Sequence, residues 1–222
     1  MAREYLTKAV IPPHGITESE FLFIEDFEGT FDWITGGDST NRIVAKAPEA
    51  ALRGNFGLLI DTGDAIDAHV AYADKKFWLK SSPKVLMEAQ FKAPAGITAL
   101  GVIAAVGLIT EDGNYIAGYA VKVNLADGDI CIYDQSDAWV SIGNLGPLTA
   151  NSWYSVEIEA DVKNTKYSKI RMRNKELDAS TKTPLKGPLD INTNYVTLEA
   201  KNVGAYQAKV YFDNIIVRAL PR

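Results

Sequence analysis

Apolar and polar residues alternate with a period of two along most of this chain. In 85–92, Val85, Met87, Ala89 and Phe91 alternate with Leu86, Glu88, Gln90 and Lys92; in 153–161, Tyr154, Val156, Ile158 and Ala160 alternate with Ser155, Glu157, Glu159 and Asp161. Successive side chains of a strand point to opposite faces, so each segment predicts a strand with one face in a core. The same reading predicts strands over 21–27, 42–47, 56–60, 104–110, 115–125, 130–134, 169–173, 195–200 and 209–217. Gly36-Gly37-Asp38 and Arg53-Gly54-Asn55 punctuate the early strands, and Asp127-Gly128 between apolar runs is a hairpin signal, because both turn positions tolerate positive φ. Helical periodicity is not sustained anywhere; at most one short helix is expected, within 81–85 or 66–72. About a dozen short strands with regular turns predict an all-β, two-sheet antiparallel jelly-roll sandwich over 21–222. Its first and last strands, around Glu25-Asp26-Phe27-Glu28-Gly29 and Val210–Val217, are expected to lie side by side, and a break in alternation predicts a bulge near Asp213. Residues 1–20, with Pro12-Pro13-His14-Gly15, lack alternation and read as an N-terminal arm, which could dock on a neighbour and support a homo-oligomer.

Composition narrows the function classes. The 222 residues are 47% hydrophobic and 23% charged, values of a globular protein able to bury a core. The formal net charge is −5, with Lys and Arg scattered, so there is no basic stripe to track phosphates and nucleic acid is not an expected partner. Residues 1–20 hold no signal-peptide apolar core and no segment reaches the roughly 20 apolar residues of a membrane span; a soluble protein is expected, with an extracellular or virion setting open. Cys131, the sole cysteine, reads as an inert strand residue.

Four segments carry a family resemblance: Glu25-Asp26-Phe27-Glu28-Gly29 with Trp33, Arg53-Gly54-Asn55-Phe56-Gly57-Leu58, Asn151-Ser152-Trp153-Tyr154-Ser155-Val156-Glu157-Ile158, and Tyr211-Phe212-Asp213-Asn214-Ile215. Over about 21–218 the chain resembles concanavalin A-like lectin/glucanase sandwiches and related noncatalytic carbohydrate-binding modules. The resemblance implies a structural Ca²⁺ tying the first strand to the last, with Asp26 or Glu28 and Asp213 as carboxylate ligands and Gly54 or Asn55 as carbonyl donors. Asn214 stands where many relatives have a second Asp, which lowers the charge of that set.

Glu157, Glu159 and Asp161 share one strand face, and carboxyls so spaced could serve as the acid and nucleophile of a glycosidase. The glucanases of the resembled family carry a Glu-x-Asp-x-Glu row, from which Glu-Ile-Glu-Ala-Asp departs; a charged outer face opposing Arg171, Arg173 or lysines is the competing reading. Asp61-Thr62-Gly63-Asp64 with Asp67 is an acidic turn without EF-hand spacing. His14 and His69 are too few for a zinc site or a His-based triad. Trp33, Trp78, Trp139 and Trp153, with Tyr115, Tyr119 and Tyr133, could stack on sugar rings, although most are expected in the core. Trp139, after Asp134-Gln135-Ser136-Asp137, and Tyr115, beside Asn114, are the exposed candidates, with Asp137 and Asn114 as hydrogen-bonding neighbours. Three functions follow: a noncatalytic recognition module binding glycan or a protein surface, a structural subunit such as a virion decoration, or a glycan hydrolase or lyase.

Overall fold

The computed structural model describes residues 21–63, 66, 68–78, 82–94, 100–110, 113–188, 193–202 and 207–220. The chain opens with β1 (Phe21–Glu25), β2 (Ile34–Gly37), β3 (Ile43–Ala47), a 3-10 turn (Pro48–Ala50) and β4 (Gly57–Asp61). Longer strands follow: β5 (Val70–Phe77), β6 (Lys84–Lys92), β7 (Leu100–Ile109), β8 (Tyr115–Asn124), β9 (Asp129–Asp134) and β10 (Ala138–Asn144). The last are β11 (Trp153–Asp161), β12 (Lys166–Met172), β13 (Lys175–Asp178), β14 (Leu185–Pro188), β15 (Asn194–Asn202) and β16 (Lys209–Ala219).

The strands form two antiparallel sheets. Sheet A runs β13-β12-β11-β6-β16-β4-β3, with β1 also paired to β16; sheet B runs β10-β9-β8-β7-β15-β5-β2, with β14 also paired to β8. Their inner faces share one core, in which Leu58, Met87, Phe91, Ile158 and Phe212 of sheet A join Val106, Tyr119, Ile132, Val196 and Leu198 of sheet B. Each buried aliphatic or aromatic side chain contributes about 1.5–3 kcal/mol relative to exposure. The protein is an all-β, two-sheet jelly-roll sandwich, as the alternation predicts.

First and last strands pair antiparallel, Phe21 opposite Arg218 and Glu25 opposite Ile215. Because β6 occupies one edge of β16, β4 and β1 lie end to end along the other, β4 against 209–212 and β1 from Ile215 onward. The junction falls at Asp213-Asn214, where the register with β6 shifts and Asn214 has φ 50°. This is the bulge expected from the broken alternation.

Several elements differ from the sequence reading. The segment 66–72, offered as a site for a short helix, leads into β5, and Val85, in the other proposed helix, lies in β6. Ala71, Ala73, Asp74, Lys75 and Lys76 carry no strong strand propensity, but β5 pairs with β15 on one side and β2 on the other, and that pairing prevails. Gly36 and Gly37, read as punctuation, belong to β2. A Cβ on Gly36 would come 2.4 Å from the Tyr72 ring, and one on Gly37 would come 2.2 Å from the Val70 carbonyl oxygen, so glycine here permits close strand approach. β10, β13 and β14 were not anticipated. The N-terminal arm at 1–20 and the oligomer contact assigned to it, Asp64, Asp67 and His14 lie outside the described residues. Among the described residues no helix is long and apolar enough to cross a membrane.

Candidate functional site

The outer face of sheet B carries a groove of about 690 Å³. Its floor follows from strand alternation: Tyr119 and Val121 of β8 and Ala104 and Val106 of β7 point into the core, so Gly118, Ala120 and Ala105 face outward, and their small size leaves a depression. Tyr133 of β9 and Trp139 of β10 stand at one end, their ring centroids 5.0 Å apart. β14, running along β8 beyond the end of β9, adds Leu185, Gly187 and Pro188. At the other end β15 presents Tyr195, Thr197, Glu199 and Lys201, and β5 presents Tyr72, Asp74 and Lys76.

Tyr167 of sheet A stiffens the ring end from inside. The β8–β9 ladder spans Val121–Val123, leaving Ala120 and Tyr133 just past it. The buried Tyr167 hydroxyl accepts from the Ala120 N–H at 2.9 Å and donates to the Tyr133 carbonyl at 2.7 Å, filling the place of ladder bonds. Burial pushes its pKa well above the ordinary tyrosine value. The Tyr133 hydroxyl donates to Asp137, which has φ 60°, so Asp137 fixes the Tyr133 ring beside Trp139. Lys122 Nζ lies 4.9 Å from the Trp139 ring centroid.

The other end is electrostatically distinct. Burial pushes the Asp74 carboxyl above its ordinary range against the Thr197 hydroxyl, which donates to it at 2.7 Å. Glu199 is raised to about 7, chiefly by burial; Lys201 opposes the shift, and Asp74 and Asp38 add to it.

Sequence candidates are dispersed by the fold. Trp139 lines the groove and Asp137 supports it through Tyr133. Tyr115, 46% exposed, and the exposed Asn114 are not among the groove-lining residues; β8 alternation sets Tyr115 opposite in sense to Ile116 and Gly118, which do line it. Trp33 and Tyr119 are core, Trp153 packs against the Ala47, Ala50, Leu59 and Tyr211 cluster on sheet A, and Trp78 is 78% exposed. Glu157, Glu159 and Asp161 lie on the outer face of sheet A, away from the groove. Glu157 accepts from Arg171 at 3.0 Å, Glu159 from Ser168 at 2.8 Å, and Asp161 from the Asn164 backbone and side chain at 3.0 and 2.9 Å. These contacts hold β11 to β12 and the adjoining turn. Cys131 is buried, donates to Asp129 at 3.1 Å, and is pushed up to about 11 mainly by burial, which keeps it a thiol.

The carboxylates that the resemblance pairs with calcium accept hydrogen bonds from backbone amides. Asp213, fully buried, accepts from the backbone N–H groups of Leu52, Arg53 and Asn214 at 2.7, 3.1 and 2.8 Å. Glu28 accepts from the Asn55 and Phe56 N–H groups at 2.6 and 2.9 Å and from the Asn55 side chain at 3.0 Å; Asp26 accepts from the Glu28 N–H at 3.2 Å. Asn55 therefore turns donors, not its carbonyl, toward Glu28. Among the described residues no group of three or more His, Cys, Asp or Glu could hold a metal ion. In this arrangement the carboxylates clamp the 51–56 loop across the junction of β1, β4 and β16.

No family model and no curated protein matches the sequence. Solved structures do. Endo-β-1,4-glucuronan lyase from Trichoderma reesei aligns with a TM-score of 0.60 at 13% identity, over 89% of this chain and 94% of that one. Peanut lectin aligns with a TM-score of 0.54 at 11% identity, over 93% and 100%. A carbohydrate esterase from the Shiga toxin-encoding bacteriophage phi24B aligns with a TM-score of 0.53 at 14% identity, over 92% and 100%. The fold that this chain shares with them is the two-sheet jelly-roll sandwich. At these identities the likeness extends to architecture, and function has to be argued from the groove.

The sequence reading missed the β15/β5 end of the groove. Its signal was present: Tyr195, Thr197, Glu199 and Lys201 alternate with Val196, Leu198 and Ala200, and Tyr72 and Asp74 with Ala71 and Ala73. What the sequence lacked was the pairing of β15 with both β5 and β7, which makes these rows neighbours.

Proposed function

We propose that this protein is a noncatalytic glycan-recognition module whose binding surface is the groove on sheet B. The observation that carries this reading is the combination of a small-residue floor with the Tyr133–Trp139 pair at one end and hydroxyl- and carboxyl-bearing side chains at the other. Pyranose rings offer apolar faces for aromatic packing and hydroxyls for polar partners, which is the complement of that lining. Three structures of the same fold that carry carbohydrate-related names, the lyase, the lectin and the esterase, support it. The acidic row on β11 is committed to cross-strand ion pairs and hydrogen bonds, which favours recognition over a hydrolytic role for those residues.

A glycan array followed by titration tests this. Trp139→Ala should weaken binding of the best glycan about tenfold or more, as expected for a lost stacking anchor, with the melting temperature nearly unchanged. Tyr115→Ala, off the groove, should bind as the parent does. Equal affinity of Trp139→Ala and the parent would overturn the assignment to this groove.

A further inference from the structure

The β15/β5 end of the groove holds carboxyls with acceptor capacity to spare. Register sets Glu199 between Tyr72 on β5 and Ile103 on β7, and Thr197 between Asp74 and Ala105. The Tyr72 ring lies where a Cβ on Gly36 would be, so it leans toward β2 and away from Glu199; the Tyr195 ring likewise lies over Gly107 of β7. Glu199 is thus half-buried beside an apolar partner. Among the described residues it accepts no hydrogen bond and forms no ion pair, and Asp74 accepts from Thr197 alone. An ionised carboxylate offers about four acceptor sites, and leaving them unmet in a partly desolvated groove is costly.

The charge balance restricts what can meet them. Asp74 and Glu199 are matched by Lys76 and Lys201, and at the ring end Lys122 over Trp139 is matched by Asp137 on the Tyr133 hydroxyl. Among the described residues such a lining has no excess positive charge with which to recruit a polyanion. A ligand carboxylate placed at the β15/β5 end would add a like charge beside two acids that burial already disfavours in their ionised form. Hydroxyl groups supply donors without that charge.

We infer that the groove selects uncharged polysaccharides, Glu199 and Asp74 accepting hydrogen bonds from sugar hydroxyls, and that it discriminates against uronate polymers. The inference rests on the groove being a glycan site and adds the class of glycan.

Polymers that differ at C6 test it directly: β-1,4-glucan against β-1,4-glucuronan, and β-1,4-mannan against β-1,4-mannuronan, titrated with the full chain, Glu199→Gln, Asp74→Asn and Trp139→Ala. In any pair that binds, the neutral member should be at least about tenfold tighter and little affected by added salt. Glu199→Gln should lower its affinity about tenfold, the order expected when hydrogen bonds to a charged acceptor become bonds to a neutral amide; Asp74→Asn should lower it less, because Thr197 already takes up part of the Asp74 acceptor capacity. A uronate member binding as tightly as its neutral partner, or Glu199→Gln binding like the parent, overturns the inference. If Trp139→Ala abolishes such uronate binding, the groove assignment survives while the neutral-sugar inference falls. If no glycan binds the parent protein, both fall.

Discussion

Glu199 shows how a single residue ties the site to the stability of the protein. Its carboxyl is displaced to about 7 from 4.5, chiefly by burial, with Lys201 opposing and Asp74 and Asp38 reinforcing; Tyr72 and Ile103 flank it across the sheet. The folded state therefore holds this proton more tightly than the unfolded chain does. The stability contributed is fully present below about 4.5 and is lost as pH rises through about 7. Glu199→Gln removes the ionisation, so it should match the parent near pH 4.5 and exceed it by about 1–3 kcal/mol at pH 8. Urea denaturation at the two pH values reads this; a difference that does not grow with pH would mean that the carboxyl is not desolvated in the folded protein. The same unmet acceptors proposed to serve a ligand would then be a source of instability in its absence, a trade familiar at functional sites.

Among the elements, β16 carries the most local information. Its bulge places the Asp213 carboxylate between the ends of β4 and β1, where it gathers the amides of Leu52 and Arg53. Removing it strands those donors, so Asp213→Ala should cost about 2–4 kcal/mol, measured by chemical denaturation. Excess chelator should leave the melting temperature of the parent protein unchanged, since the carboxylate's partners are amides. The sequence showed this element well: the broken alternation at 211–217 marked the bulge, and the acidic residues at both ends marked the meeting of first and last strands. The amide partners of Asp213 and Glu28 were not legible, because acceptors for a cation and acceptors for backbone amides are the same residue types. β5 was obscured for another reason. Its Ala, Asp and Lys residues have little strand preference, and the forces that make it a strand, pairing with β15 and β2, come from residues far away along the chain.

At the scale of the whole molecule the groove crosses sheet B from Trp139 on β10 to Ile34 on β2. Seven strands at about 4.8 Å spacing extend roughly 29 Å, less any shortening by twist. A linear glycan lying across them should show affinity that rises with length from disaccharide to about hexasaccharide and then levels off, read by titration of a size series; equal affinity for a disaccharide would confine the site to one end. Trp139 and its neighbour Asp137 were legible as candidates because they sit together in sequence. The groove itself was not, since its two ends are brought together only by sheet order. The pairing of Phe21 with Arg218 has a practical consequence. Tethers fixed to either end of the described body leave from adjacent points in sheet A, the layer that does not carry the groove. Immobilised formats should therefore report the same affinities as free solution.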